Sequence, residues 1–186
     1  TIFINSSTFS GKIFWRDKVR YLIENKLIEK FLISSNLFNY ENIKNFYYTS
    51  KDPKFNSIEV EREIDQFFSN ENINISMNNN LCFDDKKYLI DHSLVSYGNH
   101  SANHYVLSSL KKEEQKKEIV DYKNFINKFK INKSNIFCIP FGGSNTYNDE
   151  TLSVLKELNY KTILVSQNRL DSIESLNKIE RFMPKT

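Results

Sequence analysis

From Asn135 onward the chain alternates strand, helix and strand, and that alternation points to an α/β fold built on a parallel sheet. Asn135–Pro140 is a short apolar run that stops at a Gly142-Gly143 turn. Asn148 stands where a helix N-cap belongs, and Leu152, Leu155 and Leu158 then recur on one helical face. Asn159 occupies the left-handed position that follows a helix, a site asparagine tolerates. Lys161–Ser166 reads as the next strand.

The earlier part is less regular. Thr1–Asn5 is an apolar, β-branched run that suits a buried strand already under way, so the natural start is expected to lie further upstream. Apolar residues at helical spacing extend from Phe14 to Ile33, and a second amphipathic helix is expected over Ser57–Phe68. Asn36–Tyr48 between them is aromatic, rich in asparagine and irregular. A short helix is expected over Asp84–His92, a strand over Leu94–Tyr97, a helical turn over Tyr105–Leu110 and a long charged helix over Lys112–Phe129. No repeat or linker divides the chain, so residues 1–186 are read as a single domain.

Charge narrows the partners. The 26 basic and 23 acidic residues leave a net charge of +3, with lysines and glutamates interleaved as in Lys111–Glu118. That run reads as a solvated helix face rather than the basic stripe of a nucleic-acid binder, so no nucleic-acid partner is expected. No apolar run approaches the ~18 residues of a membrane-spanning helix, and no membrane span is expected. Cys82 and Cys138 form no metal-ligand spacing and are read as separate thiols.

Two of the three histidines lie in Gly98-Asn99-His100-Ser101-Ala102-Asn103-His104. Residues four apart share one face of a helical turn, so both imidazoles can reach one ion, and imidazole is a preferred zinc ligand. The pair follows an expected strand, where α/β folds place ligands. By spacing alone, surface histidines give the same pattern.

Tyr97-Gly98-Asn99-His100-Ser101-x-x-His104 resembles the metal-binding motif of the polysaccharide deacetylases, the NodB-like carbohydrate esterase family 4. Phe137–Gly143 resembles that family's strand ending in Pro-Tyr/Phe-Gly, and Asn148–Ser166 resembles the helix and strand that follow. Thr1–Asn5 looks like the family's second strand. The resemblance implies an incomplete seven-stranded (β/α) barrel, with residues of about 10–70 as a helical insertion beside the groove. It implies a metal-dependent hydrolase that removes N- or O-linked acetyl groups from a polysaccharide or amino-sugar precursor, as in bacterial surface polysaccharides. It assigns His100 and His104 as metal ligands, zinc first, with cobalt or nickel as alternatives. The backbone N–H of Phe141 becomes the oxyanion donor, and Pro140, Phe141, Gly142 and Asn145 become substrate-binding residues.

The departures from the family pattern are equally specific. The family's Thr-Phe-Asp-Asp-Gly segment, source of the general base and third ligand, would precede Thr1, and its late general-acid histidine would follow Thr186. Phe83-Asp84-Asp85 lies just before the histidine motif, with Lys86 where the family has glycine, and is read as acidic residues opening a helix. Cys138 replaces a frequent groove arginine. The 186 residues alone are therefore expected to be a poor catalyst, and a non-catalytic glycan- or metal-binding descendant is the alternative. An apolar edge at Thr1–Asn5 also predicts oligomers or low solubility. Trp15 and the aromatics of Phe38–Tyr48 are expected to pack in the interior rather than stack on sugars, and His92 is expected at the surface.

Overall fold

The structure, a computed structural model, describes residues 1–75, 88–166 and 177–180. Five parallel strands form one sheet: β1 (Ile2–Ile4), β2 (Tyr97–Asn99), β3 (Lys133–Cys138), β4 (Thr162–Val165) and β5 (Asn177–Glu180). Their order in space is their order in sequence, and each pairs in parallel with the next. Parallel neighbours need a crossover, and helices supply it for the first three pairs. The β1–β2 connection carries α1 (Trp15–Glu24), α2 (Ile28–Ser34), α3 (Phe46–Thr49) and α4 (Ser57–Asn70). α5 (Lys112–Ile126) joins β2 to β3, and α6 (Asp149–Glu157) joins β3 to β4.

Local chemistry explains most boundaries. The Asn56 carboxamide accepts the Ile58 and Glu59 N–H groups and opens α4, while the Asn148 side chain accepts from Thr151 and opens α6. Asn159, with φ of 61°, closes α6, and the Tyr160 N–H reaches back to the Leu155 carbonyl at 2.9 Å. Lys26 after α1 and Asn72 after α4 do the same, with Leu27 bonded to Leu22 and Ile73 to Phe68.

Several expectations change. The single helix over Phe14–Ile33 is two helices, because the left-handed turn at Lys26 ends α1 before α2 begins. The strand placed at Leu94–Tyr97 starts at Tyr97 and runs through Gly98, and Leu94 is exposed. The helical turn at Tyr105–Leu110 is a 3₁₀ turn over Leu107–Ser109. Of the helix expected over Asp84–His92, residues 84–87 lie outside the described residues, and Leu89–His92 is not helical. Cys82 and Phe83 also lie outside them.

One buried cluster joins the helical segment to the sheet, running from Trp15, Phe31 and Phe46 to Phe137, Ile139 and Ile163. Each such side chain contributes about 1.5–3 kcal/mol of burial. Phe31 alone packs ring to ring on Phe38, Phe46 and Phe67. Among the described residues no helix is long and apolar enough to cross a membrane.

Candidate active site

The site begins where β2 ends. Asn99 is fully buried and bonds in three directions: its amide donates to the Ile119 carbonyl (3.1 Å) and Tyr160 hydroxyl (2.7 Å), while its oxygen accepts the Ser101 N–H (2.8 Å). Burial pushes the Tyr160 hydroxyl up to about 12, so it stays protonated and accepts that bond. His100 and His104 follow, with ring centroids 4.5 Å apart and planes at 82°. They do not share a helical turn. Ser101 and His104 both have positive φ, 63° and 60°, and the chain folds back on itself until the imidazoles meet. The Ser101 hydroxyl accepts the His104 N–H at 2.9 Å across the bend.

Left-handed backbone at a side chain with a Cβ costs about 1–2 kcal/mol. Six described non-glycine residues adopt it: three close helices, and the other three are Ser101, His104 and Phe141. The last three all lie at the site, which is where such strain collects when geometry serves function. Phe141 is the centre of a three-residue turn in which the Gly142 N–H bonds the Pro140 carbonyl at 2.7 Å. Its ring lies 4.6 Å from that of His104, nearly edge-on. Among the described residues nothing accepts the Phe141 N–H. Pro140 is buried behind this turn, and Gly142 accepts the Ser166 N–H, tying it to the end of β4.

The strained loop is held by its carbonyls. Asn5, at the end of β1, donates to the carbonyls of His100 and Ser101. The Ser7 N–H and hydroxyl both reach the Ala102 carbonyl, and the Trp15 indole donates to that of His104 at 3.1 Å. Behind the loop, Glu118 of α5 accepts from the Asn103 N–H (2.8 Å) and amide (2.6 Å). Burial raises the Glu118 carboxyl, and the bonds from Asn103 only partly offset it. A second buried carboxylate, Glu61 of α4, accepts from Lys12, Lys18 and the Tyr105 hydroxyl. Burial works against its ionisation, but Lys18 and Lys12 outweigh that and hold its carboxyl below the usual range. Lys12 also reaches the Asn103 side chain at 2.9 Å, so the helical segment grips the histidine loop directly.

Glu118 corrects the reading of Lys111–Glu118 as a wholly solvated face. Gln115 and Glu118 are buried in line with Ile119, Tyr122 and Ile126, on the inward stripe of α5. Neither glutamate stood out as a site residue, yet each sits on its helix's apolar period, α4 burying Val60, Glu61, Ile64 and Phe67. A carboxylate on an inward stripe is the signal that was available.

The chemistry of the donors fits part of a metal site. The His100 Nδ1 lies 2.7 Å from the Cys138 carbonyl, and a carbonyl only accepts, so Nδ1 carries the proton. In the neutral ring the lone pair is then on Nε2, the tautomer a metal ligand needs. The β2–β3 register slips between Tyr97 and Asn99, which brings Cys138 level with His100. Among the described residues no group of three or more His, Cys, Asp or Glu side chains gathers for an ion. Asn145 is exposed on the turn after Gly143, where its carbonyl accepts the Ser108 hydroxyl. His92 is exposed, and its Nδ1 accepts the Leu94 N–H. Trp15, Phe38 and Phe46 are buried, whereas Tyr40 and Tyr48 are exposed.

Neither a curated protein nor a solved structure matches the chain. The family model described as polysaccharide deacetylase matches residues 67–163. That stretch runs from the last turn of α4 through the histidine loop, the Pro140–Gly142 turn and α6 into β4, and it covers more than half of the 186 residues. The chain belongs to the polysaccharide deacetylase family.

Proposed function

We propose that this chain forms the two-histidine part of a metal-dependent deacetylase acting on N- or O-acetyl groups of a polysaccharide or amino-sugar precursor. The single observation that carries the proposal is the meeting of His100, His104 and the strained Phe141 turn at the C-terminal ends of β2 and β3. An incomplete seven-stranded (β/α) barrel is the architecture we infer. Its support is the sequential strand order, because a doubly wound sheet reverses direction at a switch point and this one does not.

His100 and His104 would hold a divalent ion, zinc by preference, through nitrogens whose tautomer at His100 is set by the Cys138 carbonyl. Such an ion supplies polarisation of the acetyl carbonyl and acidification of the attacking water. The Phe141 N–H, pointing from its turn without a protein acceptor among the described residues, is suited to hold the developing oxyanion. Asn145 would stand on the wall against which the sugar lies, with Pro140 and Gly142 buried behind it and holding the turn in shape. A third ligand and a general base would come from outside the described residues.

The test is acetate release from an N-acetylglucosamine oligomer with added zinc, measured alongside zinc binding by calorimetry, on this chain and on any longer natural form of it. Zinc binding and acetate release should both disappear in His100→Ala and in His104→Ala. The reading fails if acetate release survives either substitution or a chelator. Zinc binding that depends on both histidines, with no acetate released by any form, would instead establish the non-catalytic, metal-binding alternative.

A further inference from the structure

A hollow of about 350 Å³ lies beside Phe141, between α3 with the loop that follows it and the Phe141–Thr146 turn. Tyr48, Lys51 and Asp52 line one wall, and Phe141, Asn145 and Thr146 line the other. Phe141 is thus common to the hollow and to the histidine pair. Tyr48 is two-thirds exposed, at 67%, whereas Phe46 is buried and Tyr47 and Phe141 are half-buried. An exposed tyrosine beside an amide and a hydroxyl is the usual furniture of a sugar-binding surface.

The charges at this hollow are unbalanced. The Lys51 ammonium sits over three rings, 5.1 Å from the centre of Tyr48 and 5.4 Å from those of Tyr47 and Phe141. Among the described residues no carboxylate comes within ion-pair distance of it. Asp52, on the same wall, is engaged with Lys54, accepting its N–H at 3.0 Å and facing its ammonium at 3.9 Å. Near Lys51, the buried Arg16 guanidinium bonds only neutral acceptors among the described residues, the Ser50 hydroxyl (2.7 Å) and the Tyr47 carbonyl (2.6 Å). Burial first, and then the nearby Arg16, pull the Lys51 ammonium below its ordinary range. A half-exposed ammonium without a carboxylate partner among the described residues thus stands on one wall of an open hollow, with a second cation, Arg16, buried nearby, and an anion placed there would pair with Lys51.

We infer that this hollow is a subsite for an anionic sugar, so that the preferred substrate is an acetylated glycan bearing a carboxylate or phosphate beside the sugar that is deacetylated. The inference rests on the deacetylase reading and names its substrate class. Lys51 would meet the anionic substituent, Tyr48 would stack on the sugar face, and Asn145 would bond a hydroxyl. Lys51 is a specificity-determining residue here, acting on the anionic substituent rather than on the reacting acetyl group.

The experiment is calorimetric titration of the protein with three acetylated oligosaccharides of equal length. One is a neutral N-acetylglucosamine oligomer, one alternates N-acetylglucosamine with glucuronate, and one is an N-acetylglucosamine oligomer carrying 6-phosphates. At least one anionic oligomer should bind about five- to ten-fold more tightly than the neutral one, as one charge-assisted contact at a half-exposed site warrants. Whichever anion is favoured identifies the substituent. In Lys51→Glu the preference should fall to about one or invert, whereas Lys128→Glu, an exposed charge reversal elsewhere, should keep it. Equal affinity for all three oligomers, or a preference that survives Lys51→Glu, overturns the subsite. Acetate release from the same samples with zinc separates the two ideas. An anionic preference with no acetate released by this chain or by any longer natural form of it keeps the subsite and sinks the deacetylase reading, and release from the neutral oligomer without any preference does the opposite.

Discussion

The histidine loop and the helical segment before it are held in opposite ways. Between Trp15 and Asn70 the chain is secured by aromatic side chains packed edge to face, and its one left-handed residue, Lys26, sits at a helix end, where a backbone bond compensates it. Between Asn99 and Tyr105 strain is set into the backbone itself, and the compensation is polar and borrowed from other elements: Asn5, Ser7, Trp15, Lys12 and Glu118. Packing tolerates small shifts because it has no direction, while a set of hydrogen bonds to named carbonyls does not. The first region should therefore govern how stable the protein is, and the second how well its site is shaped.

The sharpest way to break that contrast is Phe31→Ala. Truncating a fully buried ring that touches three others should cost about 3–5 kcal/mol in denaturant unfolding. Zinc affinity per folded molecule should hardly change, and a matching collapse of metal binding in the folded fraction would show that the two regions are not separable. Glu61→Gln tests the joint between them. It leaves Lys12 and Lys18 short of a buried counter-charge and should cost about 3 kcal/mol at neutral pH. Because the folded carboxyl lies below its ordinary 4.5, that contribution is complete above about pH 4.5 and fades as pH falls through the lower folded value. Parallel stability curves for the two proteins on acidification would refute the clamp.

Asn5→Ala should produce the reverse pattern. Stability should drop by only about 1 kcal/mol, whereas zinc affinity should weaken ten- to a hundred-fold, the range typical for residues that orient ligands. Calorimetry reads the second effect, and an unchanged affinity would remove Asn5 from the positioning set. The smallest effect belongs to Asn159→Gly. Glycine adopts that left-handed turn more readily, so thermal melting should rise slightly, by less than about 1 kcal/mol of stability. Nothing at the histidines should move.

Much of the second half was legible because its signals are local. The cap at Asn148, the stop at Asn159 and the leucine period between them need only a few residues of context. The two histidines were legible by type and spacing, but the way they meet was not. No glycine marks the left-handed turns at Ser101 and His104, so a helical turn looked sufficient. What forces the bend is distant in sequence: Asn5 lies 95 residues from His100. Glu61 and Glu118 were hidden for a related reason, since a charge on an inward stripe counts as surface until its partners are known. In the irregular stretch Asn36–Tyr48, where no period exists, the division between buried Phe38 and Phe46 and open Tyr48 depends on packing alone. Phe83-Asp84-Asp85, read as a helix start, lies outside the described residues.

Gly98 links the motif to the strand beside it. It pairs directly with Phe3 across β1 and β2, and a methyl group at 98 would sit 2.4 Å from the Phe3 ring and 3.0 Å from Thr1. The ring lies over the space a side chain would take, as aromatics do beside glycines in sheets. Positions 3 and 98 therefore form one unit of inheritance. A homologue with alanine or serine at 98 should carry a slimmer residue at 3, and drift at either place is limited by the other. The constraint on the residue two before His100 is thus shared with the strand at Ile2–Ile4, far from it in sequence.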